Sequence, residues 1–275
     1  MHLSLSQKRW VFDDFDPVKT RRLQIEYGLN PLLAQCLSTV LQHQDPQQWL
    51  FPSIEHLHDP YKMKNMSVAV ERLEKALRDK ERIRIVTDYD VDGTTSSLIL
   101  QSVCRLLGGG ELIDYHIPSR FTEGYGFSVV AAQKAIRDKI KLIVTADIGV
   151  RDHEAVRVAA EGGVDVIICD HHLPAGSSVP DAAVAVLCPP QEGCLYPNPA
   201  LAACGVSLKL AQALLFRSAK WKDRPNVVWK IIRSMLKVVA IGTVADVVSL
   251  ATIENRSIVA LGLAELQDMR SHSVG

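Results

Sequence analysis

The order of elements predicts an α/β fold: a mainly parallel sheet flanked by helices, with a small helical N-terminal extension and a helical C-terminal end. Two observations carry this. From about residue 67 to 169, short apolar runs alternate with segments of helical period over short loops, which is the pattern of βαβ units. Beyond 200, apolar residues recur only at helical spacing. At 275 residues and 47% apolar, the chain can fill one large or two ordinary domains with a full core.

Residues 1–65 show little periodicity, with Gln, His, Asp and Pro scattered through 42–60. Within them Leu32, Leu33, Cys36, Leu37, Val40 and Leu41 recur at helical spacing. Val68, Val70, Leu73 and Leu77 then predict a helix, and Ile83–Thr87 a buried strand. A helix over Ser96–Leu107 is stopped by Gly108, Gly109 and Gly110. Next come a strand over 112–117, a helix over 128–138 and a strand over 141–146. A helix over 152–161, ended by Gly162 and Gly163, leads to a strand over 164–169. Helices follow at 202–217, 228–250 and 254–268. The last residues, Arg270–Gly275, carry no stop signal and read as a chain cut off.

Formal net charge is zero, so any nucleic-acid contact must come from a local patch rather than an overall basic field. Six cysteines form no CxxC pair, which argues against structural zinc or a redox motif; Cys104 and Cys169 read as reduced core thiols. The N-terminus lacks the apolar stretch of a signal peptide, and the longest apolar region, Val238–Leu250, is too short to span a bilayer. A soluble, cytoplasmic protein with no membrane partner is expected.

The chemistry concentrates where Ile83–Thr87 runs into Asp88, Asp90 and Asp92. Three carboxylates at the edge of a core repel one another, and desolvating each costs several kcal/mol unless a positive charge compensates. A metal ion supplies that charge, and hydrolysis of a phosphate ester becomes the leading idea. Asp-x-Asp-x-Asp-Gly also opens an EF-hand calcium loop, but the twelfth position is Ile99 rather than Glu, and a strand precedes the loop.

Ligands of parallel α/β sheets bind beyond the carboxyl ends of the strands. Asp147 closes the strand at 141–146, and Asp170-His171-His172 closes the strand at 164–169. Asp246 interrupts an apolar helical stretch as Gly242-Thr243-Val244-Ala245-Asp246. Taken alone, Asp147 or Asp246 reads as a cap or turn former. Three successive strands delivering carboxylate or imidazole to one edge is harder to assign to chance. Such ligands without thiolate suit Mn²⁺ or Mg²⁺, and two such ions can clamp a phosphate and stabilise both attacking and leaving oxygens.

With these four segments in order, the chain resembles the DHH phosphoesterase superfamily, most closely its RecJ-type branch of single-strand-specific 5′→3′ DNA exonucleases. Ile117-Pro118-Ser119-Arg120-Phe121-Thr122-Glu123-Gly124-Tyr125-Gly126 and Leu201-Ala202-Ala203-Cys204-Gly205-Val206 share that likeness, which covers about 65–270. It implies a DHH domain over 66–252, an N-terminal extension over 1–65, and over 253–275 the start of a helix leading to a second domain. It also implies two ions held by Asp90, Asp92, Asp147, His171 and Asp246, with Asp147 bridging and Asp88 an additional carboxylate. His172 would touch the scissile phosphate and Asp170 would orient the histidines. The product would be 5′-mononucleotides from single-stranded DNA, with a single-strand-binding protein or helicase as partner. Ile148, Cys188-Pro189 and Ala203 depart from the branch's usual residues.

Arg120, Phe121 and Tyr125, with Phe127 beside them, combine charge with stacking faces and are the candidate grip on single-stranded DNA. The basic residues Lys62, Lys64, Arg72, Lys75, Arg78, Lys80, Arg82 and Arg84 are diluted by acidic ones and read as a solvated helix face. Two other readings compete: a DHH hydrolase of short oligonucleotides, cyclic dinucleotides or pyrophosphate, and a catalytically impaired scaffold.

Overall fold

The structure, a computed structural model, describes residues 14–41, 44–118, 124–176 and 178–268. Contacts divide the chain into two compact units at Pro52/Ser53.

Among the described residues, the smaller unit holds three helices, α1 (Pro17–Tyr27), α2 (Pro31–Val40) and α3 (Pro46–Leu50). Each begins with the same device. Asp16, Asn30 and Asp45 accept first-turn amides through their side chains, and the following proline occupies the first helical position. Such a cap contributes about 1 kcal/mol, and the proline fixes a helical φ where no amide is needed. Leu23, Ala34, Leu37 and Leu41 form this unit's own core.

Segment 53–65, expected to lie with the extension, packs in the larger unit instead. Met63 is buried in that unit's core, and the His56 ring meets Ser257 Oγ at 3.0 Å. The mixed composition of 42–60 hid this anchoring, because two single turns of 3₁₀ helix leave no periodicity to read.

The larger unit is a five-stranded parallel sheet: β1 (Ile83–Thr87), β2 (Ile113–His116), β3 (Leu142–Ala146), β4 (Asp165–Cys169) and β5 (Ala185–Leu187), in the order β2-β1-β3-β4-β5. Its helices are α4 (Met66–Arg78), α5 (Val91–Leu106), α6 (Val129–Arg137), α7 (His153–Glu161), α8 (Ala203–Arg217), α9 (Pro225–Ala245) and α10 (Ile253–Gln267). Side chains alternate between two cores, as the period of a strand requires. Ile83, Ile85, Leu142, Val144, Ile167 and Leu187 join residues of α4, α5, α8 and α9 on one face. Val86, Ile143, Val166, Ile168 and Val186 join residues of α6 and α7 on the other. Fully burying each of these side chains is worth about 1.5–3 kcal/mol, so the central strands are apolar almost without interruption.

Three local expectations change. The helix after β1 starts at Val91 rather than Ser96, because the Asp90 side chain caps it by accepting Gly93 N at 2.9 Å. Val91-Asp92-Gly93-Thr94-Thr95 has poor helix propensity, which masked this first turn. The edge strand β5, three residues long and followed by Cys188-Pro189-Pro190, was too short to read. The helix expected over 228–250 ends at Ala245, with Asp246 as its C-cap and Val247 at φ +59°. Asp246 therefore sits at a turn, not inside an apolar helix.

Arg84 is not on a solvated helix face. It lies buried in β1, its guanidinium held by Asp114 at 2.7 Å and Asp138 at 2.8 Å. Cys104 and Cys169 are buried free thiols, as expected. No described helix is long and apolar enough to cross a membrane.

Candidate metal centre

Strand register alone assembles most of the site. Thr87 pairs with Ala146, Ala146 with Cys169, and Cys169 with Leu187, so these four last residues of their strands lie in one row across the sheet. The next residue along each of the first three strands is Asp88, Asp147 and Asp170. The sheet order reverses between β1 and β3, which is where a parallel α/β sheet opens its ligand crevice.

Turn geometry then aims each group. Asp147 adopts φ +65°, a left-handed conformation that carries strain for a non-glycine residue. Gly149 follows at φ +118°, where a Cβ would also meet Thr145 Oγ1. At the first strand, a Cβ on Gly93 would overlap the backbone carbonyl of Asp88 and lie 2.8 Å from its nitrogen. Only glycine lets the start of α5 fold back so closely on the aspartate turn.

Among the described residues, three triads of candidate ligand atoms form, each within 4.8 Å: Asp88, Asp90 and Asp147; Asp92, His171 and Asp246; and Asp147, His171 and His172. All six side chains expected to bind metal are among them. Asp147 and His171 each belong to two triads. His171 Nε2 lies 3.3 Å from Asp147 Oδ1 and 3.9 Å from Asp92 Oδ2, and its Nδ1 lies 3.7 Å from Asp246 Oδ2. That Nε2 atom is buried and has no hydrogen-bond partner. A buried imidazole nitrogen aimed among carboxylate oxygens, in an all-oxygen-and-nitrogen donor set, fits Mn²⁺ or Mg²⁺.

Electrostatics points the same way. Like charges about 4 Å apart repel by about 4 kcal/mol at an effective dielectric near 20. Burial and the neighbouring Asp92 and Asp90 push Asp147 up to about 8. Burial works against a charged His171, yet Asp147, Asp92 and Asp246 outweigh it and push the ring up to about 9. Asp246 is also raised, by burial and then by Asp92 and Asp90. These shifts all reflect carboxylates crowded and buried together, whose mutual repulsion a bound cation would relieve.

Asp92 has a second task. Its Oδ2 accepts Ala203 N at 2.7 Å and its Oδ1 accepts Cys204 N at 2.9 Å, so it binds the first turn of α8. Gly242 makes room for this: a Cβ there would meet Cys204 Sγ at 2.6 Å and Asp92 Oδ1 at 3.1 Å. The sequence carries no sign of this anchoring, because Ala203 and Cys204 contribute only backbone.

Asp170 belongs to none of these triads and organises the histidines. It is 1% exposed; Oδ2 accepts Val150 N, while Oδ1 accepts the amides of His171 and His172 and meets His172 Nδ1 at 2.8 Å. Burial opposes its ionisation, but His172 and these amides hold it below the usual carboxylate range. The Asp170 bond in turn raises His172.

Of the expected grip on nucleic acid, Arg120 and Phe121 lie outside the described residues. Tyr125 is exposed, its hydroxyl is 3.3 Å from His172 Nε2 and its ring meets the imidazole edge-on. Phe127 is core, at 2% exposed. Its amide donates to Asp152 Oδ2 at 2.8 Å, which ties the Tyr125 segment to the turn after β3. Nothing local in the sequence signals this role of Asp152, whose partner lies 25 residues earlier. Ile148, one departure from the usual pattern, is simply buried in the second core.

Comparisons with known proteins identify the relatives of this chain. The model of the DHH family, N-terminal domain, matches residues 82–243. The single-stranded-DNA-specific exonuclease RecJ of Bacillus subtilis (strain 168) is 36% identical over 266 residues, covering 95% of this chain and 31% of that protein. RecJ of Escherichia coli (strain K12) is 39% identical over 201 residues, covering 72% of this chain and 34% of that one. Among solved structures, exonuclease RecJ bound to manganese superposes with a TM-score of 0.63 at 32% identity, over 74% of this chain and 48% of that chain. RecJ of Thermus thermophilus in complex with Mn²⁺ superposes with a TM-score of 0.71 at 25% identity, over 92% of this chain and 34% of that chain. The chain therefore spans about a third of the length of the curated relatives it matches. Its matched segment carries the whole Asp/His cluster apart from Asp246, and the chain belongs to the DHH family.

Proposed function

We propose that this chain carries the metal-binding and phosphate-cleaving part of a single-stranded-DNA-specific 5′→3′ exonuclease, a two-metal phosphodiesterase of DNA repair and recombination. The observation that carries this is the set of triads linked through Asp147 and His171, with the buried His171 Nε2 lacking a hydrogen bond. The exonuclease assignment rests on RecJ relatives at 36% and 39% identity.

Asp88, Asp90 and Asp147 would hold one ion and Asp92, His171 and Asp246 the other, with Asp147 between them. When bound, such ions polarise the phosphodiester and lower the pKa of water. Two Mn²⁺ or Mg²⁺ suit the donors, and RecJ structures with each ion are similar to this chain. The chain's own residues do the rest. Asp170 fixes the His172 ring through Nδ1 and favours its charged form, so that Nε2, beside Tyr125, would donate to a phosphate oxygen as an imidazolium. With Arg120 and Phe121, Tyr125 would hold the terminal nucleotides. The reaction belongs in the cytoplasm, with a single-strand-binding protein or helicase presenting the strand.

Incubation with Mn²⁺ and end-labelled single-stranded DNA, duplex DNA, a dinucleotide or pyrophosphate tests the reading. Expected is release of 5′-mononucleotides from the single strand, starting at its 5′ end, and no release by Asp147→Ala. Cleavage of only the dinucleotide or pyrophosphate would replace the reading with a small-substrate hydrolase. Full activity of Asp147→Ala would remove the metal assignment.

A further inference from the structure

A second polar cluster lies buried beside the metal centre. Lys209, in α8, and Glu254, in the first turn of α10, are both fully buried and pair at 2.7 Å. Glu254 Oε1 also accepts Tyr196 Oη at 2.7 Å and His58 N at 2.9 Å, and Oε2 accepts Asn198 Nδ2 at 3.1 Å. Lys209 Nζ donates further to His58 O at 2.9 Å and Gln212 Oε1 at 3.2 Å. Every charged atom is satisfied. A buried ion pair is weak grounds for stability, since apolar residues of similar volume often do as well or better. A fully satisfied network does fix a unique arrangement of the segments it joins.

Those segments lead to the site on two sides. Asn198 Oδ1 accepts Ala200 N at 3.1 Å, and its Nδ2 donates to Asn255 Oδ1 at 2.8 Å. Asn255 Nδ2 donates to Ala200 O at 2.6 Å and to Ser249 O at 2.9 Å. Three residues after Ala200 begins the α8 turn whose amides hold Asp92. Ser249 lies three residues after Asp246. One side chain, Asn255, therefore braces the approach to both carboxylates of the second triad.

We infer that the buried cluster of Asn198, Lys209, Glu254 and Asn255 positions Asp92 and Asp246 for ion binding, so that the seating of α10 is coupled to metal affinity; this rests on the metal reading of the site proposed above. Helix α10 is seated tightly enough to transmit displacement: Gly262 packs against the Leu236 carbonyl of α9, where any Cβ would clash. These four are positioning residues, since none lies in the triads.

The test is calorimetric titration of the chain with Mn²⁺, paired with thermal unfolding in its absence. Asn255→Leu keeps the branching of the side chain and removes its N–H donors and its acceptor oxygen. Its Mn²⁺ affinity is expected to fall about 10- to 100-fold, as for the loss of groups that orient metal ligands. Leu73→Ala, in the core on α4, serves as the control: it should lower the unfolding temperature and leave affinity within about twofold. Asn255→Ser, which admits water, replaces Asn255→Leu if the latter does not fold. Affinity within about twofold of the parent for a folded Asn255 variant would overturn the coupling while leaving the metal reading intact. A parent chain that binds no Mn²⁺ would overturn both.

Discussion

The imidazole of His172 is held by the carboxylate of Asp170, Nδ1 to Oδ1 at 2.8 Å, and that same oxygen accepts the amides of His171 and His172. One buried acid thus sets the ring orientation and the local backbone of the motif together. Asp170→Asn keeps the shape but offers an amide where the ring now donates. We expect activity to fall about 10- to 100-fold with Mn²⁺ affinity changed far less. Parallel kinetics and calorimetry check this; an unchanged rate would show that His172 orientation is unimportant.

Gly93 is the tightest point of the aspartate turn, since a Cβ there would overlap the backbone of Asp88 rather than a movable side chain. Gly93→Ala should displace Asp88 and Asp90 and cost about 1–3 kcal/mol by overpacking. Mn²⁺ binding should be lost even at temperatures where circular dichroism shows the variant folded. Retained affinity would mean that the turn relaxes without moving its ligands.

Asp92 is both a ligand candidate and an anchor for α8, so its removal should act on stability without any ion present. Asp92→Ala leaves the amides of Ala203 and Cys204 buried without their acceptor. The expected cost is about 1–3 kcal/mol in metal-free buffer. Asp90→Ala, at an exposed helix cap, should cost about 1 kcal/mol. Urea unfolding in EDTA compares them; equal losses would contradict the anchoring role.

In the ion-free chain, His171 rises from 6.5 to about 9 and Asp147 from 3.8 to about 8. A raised His contributes stability that is fully present below about pH 6.5 and lost as pH climbs through about 9. A raised Asp adds a loss in the same direction, between about pH 4 and about pH 8. Mn²⁺ must expel these protons, so the gain in unfolding temperature on adding Mn²⁺ should grow from neutral pH toward about pH 9. A gain independent of pH over that range would contradict the protonated ion-free cluster.

Much of this site was legible from residues alone because strand ends are legible. Asp147 and Asp170 follow apolar β runs, and a parallel sheet brings such ends together without further instruction. What the residues could not convey depends on partners distant in sequence. The amides that hold Asp92 belong to Ala203 and Cys204, whose side chains carry no hint of the bond. Nothing local to Tyr125 shows that its hydroxyl meets His172, 47 residues on. Lys209 did leave a trace, a lysine amid Gly205-Val206-Ser207-Leu208 and Leu210-Ala211, but its partner Glu254 lies on another helix. The early start of α5 was concealed by Gly93, the residue that the close turn requires.

The most direct measurement is an anomalous difference map from crystals soaked in Mn²⁺. Two peaks are expected, one enclosed by Asp88, Asp90 and Asp147 and one by Asp92, His171 and Asp246, with Asp147 reaching both. Peaks elsewhere, or a single peak that leaves the His171 Nε2 atom uncoordinated, would contradict this assignment.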